Sequence, residues 1–171
     1  MRKAQDIMGL PVIEIETGKQ IGTAKDFLID RDWNLQGVLL ETKHWFSAPR
    51  YVKWDHVISF GADAVTIPDG QSVQTLEDGM ELCYFEHGSS KLKGLPIITV
   101  NGTNLGMVED VYFGEQWGKK IVGYELSDGL LADWKDGRKW LPAPEDVTIG
   151  ADAIIVPGDC DTQLQDVPTF Q

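Results

Sequence analysis

Apolar and polar residues change over in short runs along this chain, and no stretch holds a sustained helical period. Ile13 and Ile15 alternate with Glu14 and Glu16, the pattern of a half-buried strand, and Thr17-Gly18-Lys19 follows as a hairpin turn. The next apolar run extends from about Gln20 to Ile29 and stops at the polar turn Asp30-Arg31-Asp32. Gly37 to Glu41, Tyr51 to Trp54, Ile58 to Phe60 and Ala64 to Ile67 complete a first set of strands. A second set covers Pro96 to Val100, Leu105 to Phe113, Ile121 to Leu126, Trp140 to Leu141, Thr148 to Ile149 and Ala153 to Val156. Asp55-His56-Val57 and Glu145-Asp146-Val147 suit a single helical turn at most. The pattern is all-β.

The two sets are copies of each other. Gly9-Leu10-Pro11-Val12-Ile13 recurs as Gly94-Leu95-Pro96-Ile97-Ile98, offset by 85. At an offset of 84, Gly18 pairs with Gly102, Gly22 with Gly106, Asp26 with Asp110, Trp33 with Trp117, Val38 with Val122 and Glu41 with Glu125. Gly61-Ala62-Asp63-Ala64 recurs unchanged as Gly150-Ala151-Asp152-Ala153, and Trp54-Asp55-His56-Val57 answers Pro144-Glu145-Asp146-Val147. The division is a first repeat over 1–69, an acidic connector over 70–90, a second repeat over 91–157 and a tail over 158–171. Five or six short strands in about 60 residues, with glycine turns, predict two small antiparallel β-barrels related by internal duplication. Gly22 and Gly106 fall mid-strand, where a barrel needs a bulge or bend. The apolar stretch Met80 to Phe85 predicts a connector that docks as an extra strand, and the tail is expected to fray.

Charge adds a bound on partners. The 171 residues carry 27 acidic and 15 basic side chains, a net charge of −12. That balance disfavours free nucleic acid, whose binding rests on neutralised phosphates, and anionic membrane surfaces. Seven of those net charges lie in the connector and tail, which hold no Lys or Arg, so each repeat is closer to neutral. No window approaches the roughly 20 apolar residues of a membrane span. Met1 to Gly9 lacks the apolar core of a signal peptide, and Cys83 and Cys160 are too few for a disulfide scaffold, so a cytoplasmic location is expected.

The ordered set of Gly9, Pro11, Gly18, Gly22, Asp26, Asp55, Val57, Gly61, Asp63 and Ala64 has its answer in Gly94, Pro96, Gly102, Gly106, Asp110, Glu145, Asp146, Val147, Gly150, Asp152 and Ala153. In this order it resembles the PRC-barrel family, the small β-barrel shared by the photosynthetic reaction-centre H subunit and the C-terminal domain of ribosome maturation factors. The resemblance covers roughly residues 7–68 and 92–157, and stand-alone tandem forms look like those of Gram-positive bacteria. It implies a non-catalytic barrel that docks onto a protein partner or larger assembly. A ribosome- or RNA-processing-associated role is the alternative it implies. The anchor helix of the H subunit and the N-terminal domain of the maturation factors have no counterpart here.

Candidate chemistry is sparse. Asp30, Asp32, Asn34 and Glu41 imitate the spacing of a calcium loop, but Leu35 stands where its sharp turn needs Gly. His44, His56 and His87 form no metal spacing, and Asp26 and Asp110 read as carboxylates that satisfy turn or backbone donors. No catalytic residue, metal site or cofactor is predicted. The loops between the third and fourth strands differ. One holds Lys43-His44-Trp45-Phe46-Ser47-Ala48-Pro49-Arg50, and the other Leu130, Leu131, Trp134, Lys135, Arg138 and Lys139. Large apolar residues beside basic ones are what a protein-binding hot spot needs. His44, Trp45, Phe46, Leu130, Leu131 and Trp134 are therefore candidate partner-binding residues. The other reading has the same residues folding back to plug the barrels or seal the contact between them. Homo-oligomerisation is compatible with either.

Overall fold

Gly18 takes a φ of +70° and Gly102 one of +85°, backbone that a residue with a Cβ enters only at a cost. Each turns the chain back between two antiparallel strands, so one hairpin is built twice. The structure is a computed structural model and describes residues 1–41, 48–80, 82–114, 118–128 and 137–168.

A two-residue strand, β1 (Arg2–Lys3), and a one-turn helix, α1 (Ala4–Ile7), open the first copy. There β2 (Pro11–Glu14), β3 (Gln20–Ile29), β4 (Leu35–Glu41) and β5 (Arg50–Lys53) pair in sequence order. After a 3-10 turn at Trp54–His56, β6 (Ser59–Phe60) pairs with β7 (Val65–Ile67), which returns parallel to β2. β8 (Val73–Thr75) pairs with β5, and the connector supplies β9 (Cys83–Tyr84). The second copy repeats the plan with β10 (Pro96–Thr99), β11 (Asn104–Phe113), β12 (Gly123–Ser127), β13 (Lys139–Pro142), β14 (Thr148–Ile149), β15 (Ile154–Val156) and β16 (Gln165–Asp166). Among the described residues these strands make two eight-stranded sheets, each antiparallel but for one parallel pair. The paths run from β6 to β8 and from β14 to β16, and no pairing among the described residues joins their ends.

Two expectations are corrected. Val12 and Glu14 face inward on β2, whereas Ile15 is 57% exposed and its counterpart Val100 is 68% exposed. The reason is the hairpin: the Glu14 carboxylate accepts a hydrogen bond from Thr17 Oγ1, and Thr99 Oγ1 accepts one from Thr103 N, so a polar group is needed inside at that place. The tail does not fray through Asp166. Gly158–Gln163 is a 3-10 helix that buries Cys160, and β16 pairs with β13 as β8 pairs with β5.

The lead-in segments are exchanged. β1, at the start of the first copy, pairs with β11 of the second copy, Arg2 opposite Phe113 and Lys3 opposite Tyr112. β9, which precedes the second copy, pairs with β3 of the first, Cys83 opposite Ile29 and Tyr84 opposite Leu28. Phe113 and Tyr112 correspond to Ile29 and Leu28 at the offset of 84, so the two crossings are equivalent. Behind them runs one apolar core, continuous from Val12, Phe27 and Val38 to Val111, Phe113 and Ile154. The Phe113 ring lies 5.2 Å from that of Phe27, 5.4 Å from Phe60 and 5.5 Å from Trp54. Each large side chain so buried contributes roughly 1.5–3 kcal/mol, and here much of that contribution is shared between copies.

Candidate functional site

Each long strand breaks register just before its recurring carboxylate. Ala24 faces Leu40 and Asp26 faces Leu39, which leaves Lys25 bulged; Val108 faces Leu126 and Asp110 faces Glu125, which leaves Glu109 bulged. A bulge re-aims the next side chain, and here it directs both carboxylates at the exchanged segments. Asp26 accepts from Phe27 N at 2.8 Å, Phe85 N at 3.0 Å, Glu86 N and His87 N at 2.7 Å, and its Oδ2 lies 2.7 Å from His87 Nδ1. Asp110 accepts from Val111 N at 2.8 Å and Gln5 N at 3.3 Å. Burial pushes the Asp110 carboxyl up to about 6, against the pull of those two backbone donors. Both carboxylates satisfy backbone donors, as expected, and beyond the N–H of the next residue those donors arrive from the crossing segments.

Hairpin pairing also shifts the match between copies. Leu28 faces Gly37 and Tyr112 faces Gly123, so the true counterparts are Gly37 with Gly123 and Leu39 with Glu125, two residues away from the sequence match. In the first copy Leu28, Leu39 and Tyr51 form an apolar cluster under Leu76, Leu82 and Tyr84 of the connector. In the second copy the same places hold Tyr112, Glu125, Trp140 and Lys3. Glu125, only 2% exposed, accepts from Tyr112 Oη at 2.9 Å and Arg138 Nη1 at 2.8 Å, and pairs with Lys3 Nζ at 2.9 Å. Burial pushes this carboxyl up, but the hydrogen bonds from Arg138, Lys3 and Tyr112 outweigh it and hold it below its ordinary range. Lys3 Nζ also sits 5.6 Å from the Tyr112 ring centroid, a cation–π distance. One outer face is thus sealed by leucine and the other by a buried charge network.

The profile of the PRC-barrel domain family matches residues 1–74 and again 86–163. The chain belongs to that family. It is a tandem PRC-barrel protein, and PRC-barrel domains are generally protein-interaction or scaffold modules without catalytic activity. No curated protein matches the chain.

The six candidate partner-binding residues of this PRC-barrel pair, His44, Trp45, Phe46, Leu130, Leu131 and Trp134, lie outside the described residues. What is described is their frame. Leu40 opposite Arg50 closes one hairpin toward its loop, and Leu126 opposite Lys139 closes the other. Of the remaining polar candidates, Asp30 turns its carboxylate onto Asp32 N, Asn34 N and Gln36 Nε2, holding a turn. His87 is drawn to Asp26, a pairing no sequence spacing indicated. Burial pushes the Cys83 thiol up to about 11 and raises Cys160 too, so neither carries a reactive thiolate at neutral pH. Among the described residues, no three His, Cys, Asp or Glu side chains gather as around a metal ion. No helix among them is long and apolar enough to cross a membrane.

Proposed function

We propose that the protein is a non-catalytic scaffold that docks onto a protein partner through the loops of its two β-hairpins, residues 42–49 and 128–138. The observation that carries this reading is the exchange of lead-in segments around one shared core, which makes the two copies a single body with two fixed hairpin frames. Buried carboxylates that recur in both copies are committed to that framework, so chemistry is left to the loops. Their Trp45 and Trp134 are of a residue type enriched in protein hot spots, with His44, Phe46, Leu130 and Leu131 beside them. Capture from lysate with the full chain, alongside Trp45→Ala and Trp134→Ala, tests the reading. A protein retained by the parent chain and lost from both variants supports it. Unchanged partners in both variants overturn it. Co-sedimentation with ribosomal subunits at low salt, abolished by the same substitutions, would make the partner a ribosomal one.

A further inference from the structure

A cavity of about 720 Å³ opens where the turn after β3, the connector and the β14 turn of the second copy converge. Leu82, Leu92 and Val147 give it apolar surface, and its volume is that of a small-molecule site. Its polar lining is Arg31, Ser89, Ser90, Lys91 and Thr148, all exposed residues. On a chain of net charge −12, this lining holds two cations and no carboxylate. Two other cavities mix their charges: Lys53 and Lys119 with Asp55 and Glu77 in one, Met1 and Lys120 with Asp32 and Glu145 in the other. The carboxylates next to the lining in sequence are Asp30, Asp32 and Asp152, with Glu81 outside the described residues. Asp30 is turned onto Asp32 N, Asn34 N and Gln36 Nε2, and Asp32 lines the other cavity. Burial keeps Cys83, also in the lining, a neutral thiol that adds no negative charge.

The repeat explains why the space is there. Arg2 and Cys83 hold equivalent places, opposite Phe113 and Ile29. Arg2 donates from Nη1 to Phe60 O at 2.6 Å and Gly61 O at 3.0 Å, and so covers that turn of the first copy. The corresponding residues of the second copy, Ile149 and Gly150, line the cavity, because the side chain of Cys83 is too short to cover them.

We propose that this cavity binds a small phosphomonoester with an apolar body. The phosphate lies between Arg31 and Lys91, with the hydroxyls of Ser89, Ser90 and Thr148 as further donors, and the body rests on the leucine and valine surface. Arg31 offers the planar fork of donors that suits phosphate oxygens. Two cations match the charge of about −2 that a phosphomonoester carries at neutral pH. A second guanidinium in the manner of Arg2 does not fit, since two cations already line the space. The site shares no residue with the hairpin loops, so its failure and the failure of the docking reading are separate results.

The test titrates the full chain, labelled with ¹⁵N, at about pH 8 and low salt, where a phosphomonoester is a dianion. The probes are phenyl phosphate, phenyl sulfate as a monoanion of the same shape, and benzamidine, which offers a cation like that of Arg2. Phenyl phosphate should bind saturably and move the amide signals of residues 89–91 and 148–151. Phenyl sulfate should bind about fivefold more weakly, the factor of one exposed ion pair, and benzamidine should not bind. Lys91→Gln should lose about the same factor, and Ser89→Glu, which brings a carboxylate into the lining, should abolish binding. Lys120→Gln, outside this cavity, should change nothing. All three positions are exposed, so the variants keep the fold. Arg31 has a further contact of its own, so Lys91→Gln decides. No saturable binding of phenyl phosphate at about 1 mM, the weak end of specific affinity, overturns the proposal. Equal affinity for phenyl sulfate, equal affinity of parent and Lys91→Gln, or an equal loss in Lys120→Gln does so too. Benzamidine binding more tightly than phenyl phosphate overturns the anionic assignment. A phosphotyrosine peptide binding more tightly than phenyl phosphate overturns the assignment to a small molecule.

Discussion

Asp26 and Asp110 occupy equivalent places yet are provided for unequally: four backbone N–H groups and an imidazole reach the first, and two backbone N–H groups reach the second. Asp110 therefore keeps its proton more readily in the folded protein than in the unfolded chain, with a pKa of about 6 against 3.8. A raised carboxyl pKa means that stability falls as pH climbs from about 4 to about 6 and stays at the lower value above that. Asp110→Asn keeps an acceptor for Gln5 N and removes the buried charge. It should raise the thermal midpoint at pH 8, leave it unchanged at pH 4 and flatten the slope between, with a gain of up to roughly 3 kcal/mol. Equal midpoint changes at both pH values would contradict the assignment. Glu125 has the opposite sign. Its lowered pKa gives stability that is full above the ordinary carboxylate range and lost as pH falls. Glu125→Gln should destabilise by about 1–3 kcal/mol at pH 7, from the weakened bonds to Arg138 and Lys3, and by less at pH 3. Urea unfolding at the two pH values measures the difference.

At the level of strands and turns, the sequence was easiest to read where a residue type answers a backbone demand. Gly18 and Gly102 at hairpin turns, Gly22 and Gly106 opposite the register shifts of β2 and β10, and the Gly61 and Gly150 turns were all legible. The connector's extra strand was legible too, because an apolar run in an acidic segment must be buried somewhere. The faces of β2 were not, because Glu14 looks like a solvent residue until the hairpin that consumes its carboxylate is known. Nor was the match of Leu39 with Glu125, since identity of Val38 with Val122 outweighed a pairing that only hydrogen bonds reveal. The exchange left no shared sequence signal: Arg2-Lys3 and Cys83-Tyr84 are different residue types, because what the two crossings have in common is backbone pairing. The Gly37 and Gly123 pair offers a test of the revised match. A Cβ at Gly37 would strike the Val52 carbonyl oxygen, a backbone atom held in a ladder; at Gly123 it would strike the Trp140 indole, which can turn aside. Gly37→Ala should destabilise by about 3 kcal/mol and Gly123→Ala by about 1, both from overpacking. Similar values for the two would argue against the corrected register.

For the molecule as a whole, the exchange predicts that damage appears far from its cause along the chain. Removing residues 1–8 takes a strand from the second sheet and leaves Asp110 without Gln5 N, while the first sheet keeps β9. Hydrogen exchange should speed up first at Tyr112 and Phe113, with Leu28 and Ile29 still protected; the reverse order would rule out the pairing described. Phe113→Ala should cost about 3–5 kcal/mol and melt both copies in one transition, because its ring is shared with Phe27, Phe60 and Trp54. Two separate melting steps would show that the copies fold on their own. The crossings also decide what a cut does. A single nick between residues 76 and 82 frees a piece that still carries the strand its partner lacks, and is itself missing a strand the partner carries. The two pieces should therefore elute together from a sizing column and part only in denaturant. Inheritance follows the same logic: neither half can be lost without exposing the other, so a duplication that began as redundancy has become a mutual dependence.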